Sequence, residues 1–87
     1  MGKEDIKKRV IKIIKETSLF DDIEITSTTD ICLELGFSSL DEIELVQKLE
    51  KEFNCDLPDD SIGFYGGITT VDEIVNLIML TLNLNDK

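Results

Sequence analysis

Two adjacent serines, Ser38 and Ser39, are the side chains best placed by sequence context to take part in chemistry. Asp41 follows Ser38 by three residues, which is the spacing of a helix capping box. Glu42 stands in the same relation to Ser39. The free N–H groups and the dipole of a helix N-terminus favour an anion, so a phosphodiester on Ser39 is well placed. Serine is also an ordinary helix cap, and on local chemistry alone this purely structural role stays open.

The amino-acid composition excludes the kinds of catalysis that depend on histidine. The sequence contains no His, which excludes a His general base, Ser–His or Cys–His pairs and His-containing metal sites. Its two cysteines, Cys32 and Cys55, lack CxxC spacing, and we predict free thiols in a reducing compartment. A chain of 87 residues forms one compact core without a deep enzyme cleft. We therefore expect a single domain, residues 1–87, that is modified by enzymes and is not itself an enzyme.

The charge is strongly acidic and unevenly distributed. Nineteen acidic residues face nine basic ones, for a net charge of −10. Residues 1–15 contain six basic and two acidic residues, a balance of +4, so residues 16–87 carry −14. Such a surface repels nucleic acids and anionic membranes and attracts basic partners. There is no apolar signal segment, nor a run near the ~20 residues of a membrane span, so we expect a cytoplasmic protein.

Apolar residues recur at helical spacing in three segments, which predicts three longer helices. The first covers about residues 2–16, and the second begins at Ser38 or Ser39. The last begins after Thr70, which has capping-box spacing to Glu73. For the second helix we predict a stripe of apolar residues that faces the core, and it consists of Leu40, Ile43, Val46, Leu49 and Phe53. For Leu40, contact with a partner is the alternative.

Two further segments lack this long periodicity. Residues 17–37 contain Ser, Thr and Asp clusters, which predict a long ordered loop with scattered core anchors. Residues 59–65 predict a short helix that ends at Gly66 and Gly67. The expected architecture is all-α: a four-helix bundle with three longer helices, one short third helix, and a long loop between helices one and two.

The residues around Ser39 resemble the attachment motif of the acyl carrier protein family, L-G-x-D-S-L-D-x-x-E-L. The positions that match this motif are Leu35, Gly36, Ser39, Leu40, Asp41, Glu44 and Leu45. Residues 49–53, 57–59 and 68–71 are similar, in the same order, to the family's LExEF, IPD and ITTV segments. The resemblance extends over residues 30–78, although Ser38 stands where the family usually has Asp.

This resemblance implies a non-catalytic carrier. It implies that a phosphopantetheinyl transferase attaches 4′-phosphopantetheine covalently to Ser39 and that acyl groups travel on this arm as thioesters. Fatty-acid or polyketide-type synthesis is the implied pathway. It further implies that basic patches on acyl synthases and transferases recognise Leu40, Asp41, Glu42 and Glu44. We expect a monomer without a metal, a nucleic-acid partner or a membrane span.

Two alternatives remain open from the sequence. The first is a stand-alone peptidyl or D-alanyl carrier, which loads an amino acid on the same kind of arm. The second is an unmodified acidic adaptor that keeps the fold only for contact with other proteins. The second alternative is favoured by Ser38, because the family's usual carboxylate is missing directly before Ser39.

Overall fold

The computed structural model describes residues 2–18, 23–58, 61–63 and 65–82. This part of the chain contains three helices, and they are α1 (Lys3–Thr17), α2 (Ser39–Phe53) and α3 (Val71–Leu82). Helix α1 packs against both α2 and α3. The three longer predicted helices are confirmed. Within the described ranges, no helix combines the length and the apolar character that crossing a membrane requires.

Helix α1 has one apolar face and one basic face. Its buried residues follow the predicted helical spacing, and they are Ile6, Val10, Ile13, Ile14 and Thr17. Lys8, Lys12 and Lys15 are exposed. Arg9 joins α1 to α2, because its Nη1 lies 3.4 Å from Glu52 of α2. Its Nε also lies 3.2 Å from Asp5 on the same helix.

Helix α2 buries a different stripe from the one predicted. Leu45, Leu49 and Phe53 are buried, whereas Ile43 is 54% exposed and Leu40 is 78% exposed. The prediction of a buried side chain was wrong for Ile43, and the predicted stripe missed Leu45. For Leu40 the exposure excludes the core position and leaves the alternative of contact with a partner. Two apolar stripes satisfy helical spacing on this helix, and the one that contains Leu45 joins the hydrophobic core of the folded chain. The other stripe begins at the surface, next to Ser39.

The long connection between α1 and α2 is ordered over its described residues. Its core anchors are Ile25, Ile31, Leu35 and Phe37. Backbone hydrogen bonds join it to the start of α3: the Ile31 N–H donates to the Thr69 carbonyl at 2.9 Å, and the Val71 N–H donates to the Thr29 carbonyl at 3.1 Å. These bonds place the loop and the α3 N-terminus side by side.

The short third helix is not confirmed. Of residues 59–65, the structure describes 61–63 and 65, and none of these four residues is helical. The Gly63 N–H donates to the Ile68 carbonyl at 2.8 Å, and the Gly67 N–H donates to the Gly63 carbonyl at 3.0 Å. Positive φ angles at Gly63 and Gly67, +124° and +78°, suit glycine and favour this turn over a helix. The rest of the predicted element, residues 59, 60 and 64, lies outside the described residues.

Candidate functional site

Ser39 is the first residue of α2, and Ser38 is its N-cap. The Ser38 Oγ accepts a hydrogen bond from the Asp41 N–H at 3.3 Å. In return, the Asp41 carboxylate accepts from the Ser38 N–H at 2.9 Å and from its hydroxyl at 3.1 Å. This closed capping box uses Ser38, so the exposed Ser39 side chain is not needed as the cap. The sequence had left both serines open for this role.

The chain before the cap turns sharply and separates a buried residue from the exposed serines. Gly36 has φ of +67°, a left-handed conformation that glycine adopts without steric cost. Phe37 follows and is buried, with its N–H donating to the Ile31 carbonyl at 3.0 Å. Ser38 and Ser39 then emerge at the surface. The buried Phe37 thus anchors the start of α2 while both serines remain accessible.

A cleft of about 560 Å³ lies beside Ser39, between α2 and the turn that follows residue 61. Its apolar lining comes from Ile43 and Val46 of α2 and from Ile62. Tyr65 also lines the cleft and is 90% exposed. The other residues at its surface are Ser39, Glu42, Gln47 and Glu50. The cleft therefore offers an apolar floor next to an exposed hydroxyl.

The four residues predicted to contact partners occupy different environments. Leu40 and Glu44 are exposed on the outer side of α2, and Glu44 pairs with Lys48 at 3.0 Å. Asp41 is half-buried because it closes the capping box. Glu42 is also half-buried and faces the neighbouring loops. The structure thus brings all four to one end of α2, but of the four only Leu40 and Glu44 are exposed.

Glu42 makes contacts that sequence reasoning missed. Its Oε2 accepts a hydrogen bond from the Cys32 thiol, at 3.3 Å from Sγ. The same carboxylate lies against Gly63, where any Cβ would collide with it. The three residues are far apart in the sequence and form no spacing motif, so no local signal pointed to this cluster.

Both cysteines are free and half-buried. Burial, the hydrogen bond to Glu42 and the charges of Glu42 and Asp30 raise the pKa of the Cys32 thiol to about 11. Burial and the charges of Glu50 and Asp56 also raise the pKa of Cys55. Thiols in this state stay protonated at neutral pH and are poor nucleophiles and metal ligands. Across the described ranges, no three metal-ligating side chains lie close enough together to bind an ion.

A second capping box opens α3 on the other side of the long loop. The Glu73 carboxylate accepts from the N–H groups of Thr69 and Thr70, both at 3.1 Å. The Glu73 N–H donates to the Thr70 hydroxyl at 3.3 Å, as the sequence predicted. The two backbone hydrogen bonds lower the pKa of Glu73, because they favour its charged form.

Asp30 connects this second box to the loop. Its Oδ1 accepts from the N–H groups of Cys32 and Leu33, each at 2.8 Å, and its Oδ2 accepts from the Thr69 hydroxyl at 2.8 Å. Burial of Asp30 opposes its charge, but the hydrogen bonds together outweigh burial and lower its pKa. The carboxylate therefore stabilises the turn over residues 31–34 and joins it to the α3 N-terminus.

Comparison with known proteins identifies the family. Residues 8–78 match the family model described as a phosphopantetheine attachment site. The chain is 42% identical over 74 residues to an acyl carrier protein of Cylindrotheca sp. (strain N1), an alignment that covers 85% of this chain and 89% of that protein. The chain belongs to the acyl carrier protein family.

This membership confirms the resemblance that the residues around Ser39 indicated. Acyl carrier proteins are non-catalytic carriers, and the chain is accordingly not an enzyme. Its cofactor is a covalently attached 4′-phosphopantetheine. As a carrier of this family it interacts with synthases and transferases in general. The attachment residue, the cargo and the individual partners are finer questions that depend on the geometry of the site.

Proposed function

We propose that Ser39 is the residue that carries 4′-phosphopantetheine and that the chain transports acyl groups on this arm. The observation that carries the proposal is the position of the Ser39 hydroxyl, which is exposed at the start of α2 while the neighbouring Ser38 serves as the cap. No hydrogen bond joins the Ser39 hydroxyl to the described residues, so it can be esterified without breaking the cap.

The surroundings of Ser39 fit a phosphodiester with a long arm. The N-terminus of α2 stabilises a negative charge next to the hydroxyl. The Asp41 carboxylate would repel a phosphate, but its Oδ2 already accepts hydrogen bonds from the N–H and the hydroxyl of Ser38. The apolar floor of the neighbouring cleft, with Ile43 and Val46, offers an apolar surface to an arm that begins at Ser39. When attached, the group supplies a terminal thiol that carries an acyl group as a thioester.

We propose acyl groups of the fatty-acid or polyketide type as the cargo. The support is the relative from Cylindrotheca sp., which is named an acyl carrier protein, together with the apolar residues Ile43, Val46 and Ile62 beside Ser39. An aminoacyl cargo, as on a peptidyl or D-alanyl carrier, is the alternative. Mass spectrometry of the loaded chain from its native host distinguishes the two, because an aminoacyl thioester contains nitrogen in the cargo and a simple fatty acyl thioester does not.

We also propose that basic patches of partner enzymes dock on the outer side of α2. Leu40 offers an exposed apolar contact, and Glu44 offers an exposed charge one to two helical turns from Ser39. Asp41 adds a second charge at the helix start. Opposite charges of this kind raise the association rate more than the affinity, which suits a carrier that must dissociate quickly. Glu42, the fourth residue predicted for this surface, faces the loops.

Residues 1–87 are proposed to act as one monomeric carrier domain in the cytoplasm. One hydrophobic core joins residues of all three helices, from Ile6 to Ile78, which supports a single domain. The two free cysteines support a reducing compartment. Light scattering of the purified chain tests the monomer, and a concentration-dependent increase in mass contradicts it.

Intact mass and peptide mass spectrometry of the chain, produced in cells with an active phosphopantetheinyl transferase, test the attachment site. The wild-type chain is expected to gain the mass of 4′-phosphopantetheine on the peptide that contains Ser39. Ser39→Ala abolishes the gain, whereas the matched variant Ser38→Ala keeps it. A uniformly unmodified wild-type chain overturns the carrier function and supports an acidic adaptor, and modification of Ser39→Ala moves the site elsewhere.

A further inference from the structure

Glu42 differs from its acidic neighbours on α2. It lies three residues after Ser39, so both side chains lie on the same side of the helix and line the same cleft. Glu44 is exposed and pairs with Lys48, but Glu42 is half-buried and contacts two other segments of the chain. These contacts make Glu42 a poor match for a residue whose role is to offer charge to a partner.

One of the two contacts connects α2 to the loop that precedes it. The Cys32 thiol donates to Glu42 Oε2 at 3.3 Å. Cys32 is itself placed by its backbone, because its N–H donates to Asp30 Oδ1 at 2.8 Å. The Asp30 carboxylate in turn binds Thr69 and so reaches the start of α3. The Glu42 carboxylate therefore adds α2 to a hydrogen-bonded set that already spans two segments.

The second contact connects α2 to the turn on the other side of the cleft. Gly63 is buried, and the Glu42 carboxylate fills the position that a Cβ of this residue would take. The Gly63 backbone is placed by its hydrogen bond to Ile68, 2.8 Å long. Ile62, next to it, is buried and lines the cleft with Glu42. The absence of a side chain at residue 63 is what lets the carboxylate lie there.

We propose that Glu42 is a positioning residue, which joins the turn over residues 31–34 and the turn that contains Gly63 to α2, one helical turn from Ser39. It thereby shapes the surface that a transferase meets when it modifies Ser39, a consequence that rests on the proposed attachment at Ser39. The shape and hydrogen-bonding capacity of the side chain carry this role, and its negative charge does not. A residue that docks a basic partner would depend on its negative charge and not on these contacts.

Two substitutions separate these roles. Glu42→Gln keeps the size of the side chain and an oxygen that accepts from the Cys32 thiol, but it removes the charge. Glu42→Ala removes the contacts and the charge together. Glu16→Ala, on the exposed side of α1, is the matched control for a lost negative charge. The assay is modification of the unmodified full chain by a phosphopantetheinyl transferase with coenzyme A, over a range of carrier concentrations.

The expected result is a split between the two Glu42 variants. Glu42→Gln and Glu16→Ala stay within about 2-fold of wild type in kcat/KM. Glu42→Ala loses about 3- to 10-fold, mainly through a higher KM, as expected for one lost hydrogen bond and a displaced loop. Equal losses in Glu42→Gln and Glu42→Ala that disappear at high salt overturn the proposal in favour of a docking charge. Wild-type rates in both variants also overturn it.

Amide hydrogen exchange gives a readout that does not depend on modification. In the unmodified chain, Glu42→Ala is expected to accelerate exchange of the N–H groups of Cys32 and Leu33 and of Gly63 about 3- to 10-fold, while Glu42→Gln does not. If no variant is modified, the attachment proposal fails while this exchange result still decides the role of Glu42. Unchanged exchange in Glu42→Ala overturns the role of Glu42 whatever happens at Ser39.

Gly63→Ala tests the same link from the other side. The added methyl displaces the Glu42 carboxylate, so exchange is expected to accelerate at Cys32, whose thiol binds that carboxylate, and at the neighbouring Leu33. In the Glu42→Ala background, Gly63→Ala adds nothing at these two positions. An effect of Gly63→Ala that stays within residues 61–68 contradicts the link through Glu42, because it reflects only the strained φ of residue 63.

Discussion

The N-termini of α2 and α3 begin with the same local motif but have different surroundings. In each, a hydroxyl side chain caps the helix and a carboxylate three residues later binds back: Ser38 with Asp41, and Thr70 with Glu73. The α3 box is joined to the long loop through Thr69 and Asp30. The α2 box faces solvent beside Ser39.

This difference shows what a capping motif does and does not determine. The box sets where a helix begins, and it supplies N–H groups and a dipole at that point. Whether the helix start then serves stability or function depends on what lies next to it. At α3 the neighbour is the Asp30 carboxylate, and the result is a structural junction. At α2 the neighbour is an exposed Ser39 hydroxyl, and the result is a candidate attachment site.

The largest expected effect comes from breaking the α3 junction. Asp30→Ala removes an acceptor for the N–H groups of Cys32 and Leu33 and for the Thr69 hydroxyl. The free energy of unfolding should fall by about 2 kcal/mol, since each net hydrogen bond contributes about 0.5–1.5 kcal/mol. Urea denaturation measures the change. Asp56→Ala, at an exposed position, is the control and should stay within about 0.5 kcal/mol of wild type.

Acid should weaken the same junction. Folding lowers the pKa of Asp30, through hydrogen bonds that outweigh burial, and the pKa of Glu73, mainly through its two backbone hydrogen bonds. A lowered carboxyl pKa stabilises the folded state above the ordinary value of about 4 and stops doing so as the pH falls through the lowered value. Stability should therefore decrease from about pH 4 downwards in urea titrations. A matching decrease in an Asp30→Asn, Glu73→Gln double variant would contradict this assignment.

Removal of the cap should lower stability by a similar amount at α2 and at α3, but it should slow modification of Ser39 only at α2. Ser38→Ala and Thr70→Ala should each lower the free energy of unfolding by about 1 kcal/mol. Only Ser38→Ala should slow modification of Ser39, by about 2- to 5-fold, because it loosens the turn that presents the hydroxyl. Transferase assays at a temperature where both variants are folded test this. Equal slowing in both variants would show that stability, and not the position of the cap, controls modification.

The smallest effect is expected from single charges. Glu44→Gln removes an exposed charge near Ser39, and Asp72→Asn removes a half-buried charge from the first turn of α3. Association with a cognate synthase or transferase should slow about 2-fold for Glu44→Gln at low salt and stay unchanged for Asp72→Asn. The difference should shrink as added salt screens exposed charges beyond about 8 Å. Identical behaviour of the two variants would mean that α2 attracts partners only through the total charge of the chain.

The α3 capping box and the three longer helices were predictable from the sequence, because they depend on contacts within one or two turns, and for α2 the box was narrowed to two candidates. The choice between Ser38 and Ser39 as the cap was not predictable, since both have an acidic residue three positions later. The order of motifs over residues 30–78 was enough to predict the family. Local spacing and motif order therefore account for most of the correct predictions.

The errors arose where tertiary packing selects among locally equivalent choices. On α2, apolar residues form two stripes, and in the folded chain Leu45 lies in the core whereas Ile43 is exposed. The turn at Gly63 depends on hydrogen bonds to residues 67 and 68 that no helix-like pattern reveals. The contact of Glu42 with Cys32 joins residues that only the folded chain brings together. Long-range contacts of this kind do not produce a periodic pattern in the sequence.

The basic face of α1 has a consequence for how the molecule rotates. Apart from Thr17, the residues of α1 that pack inward are apolar. The charges of Lys8, Lys12 and Lys15 therefore lie on the side turned away from the core, while most of the negative charge lies elsewhere on the chain. This separation gives the protein a permanent electric dipole moment in addition to its net charge. The field of a basic partner exerts a torque on that dipole, which turns the acidic side towards the partner before the surfaces touch. Screening limits the torque to separations of roughly 8 Å at physiological salt, where orientation rather than distance decides whether an encounter is productive.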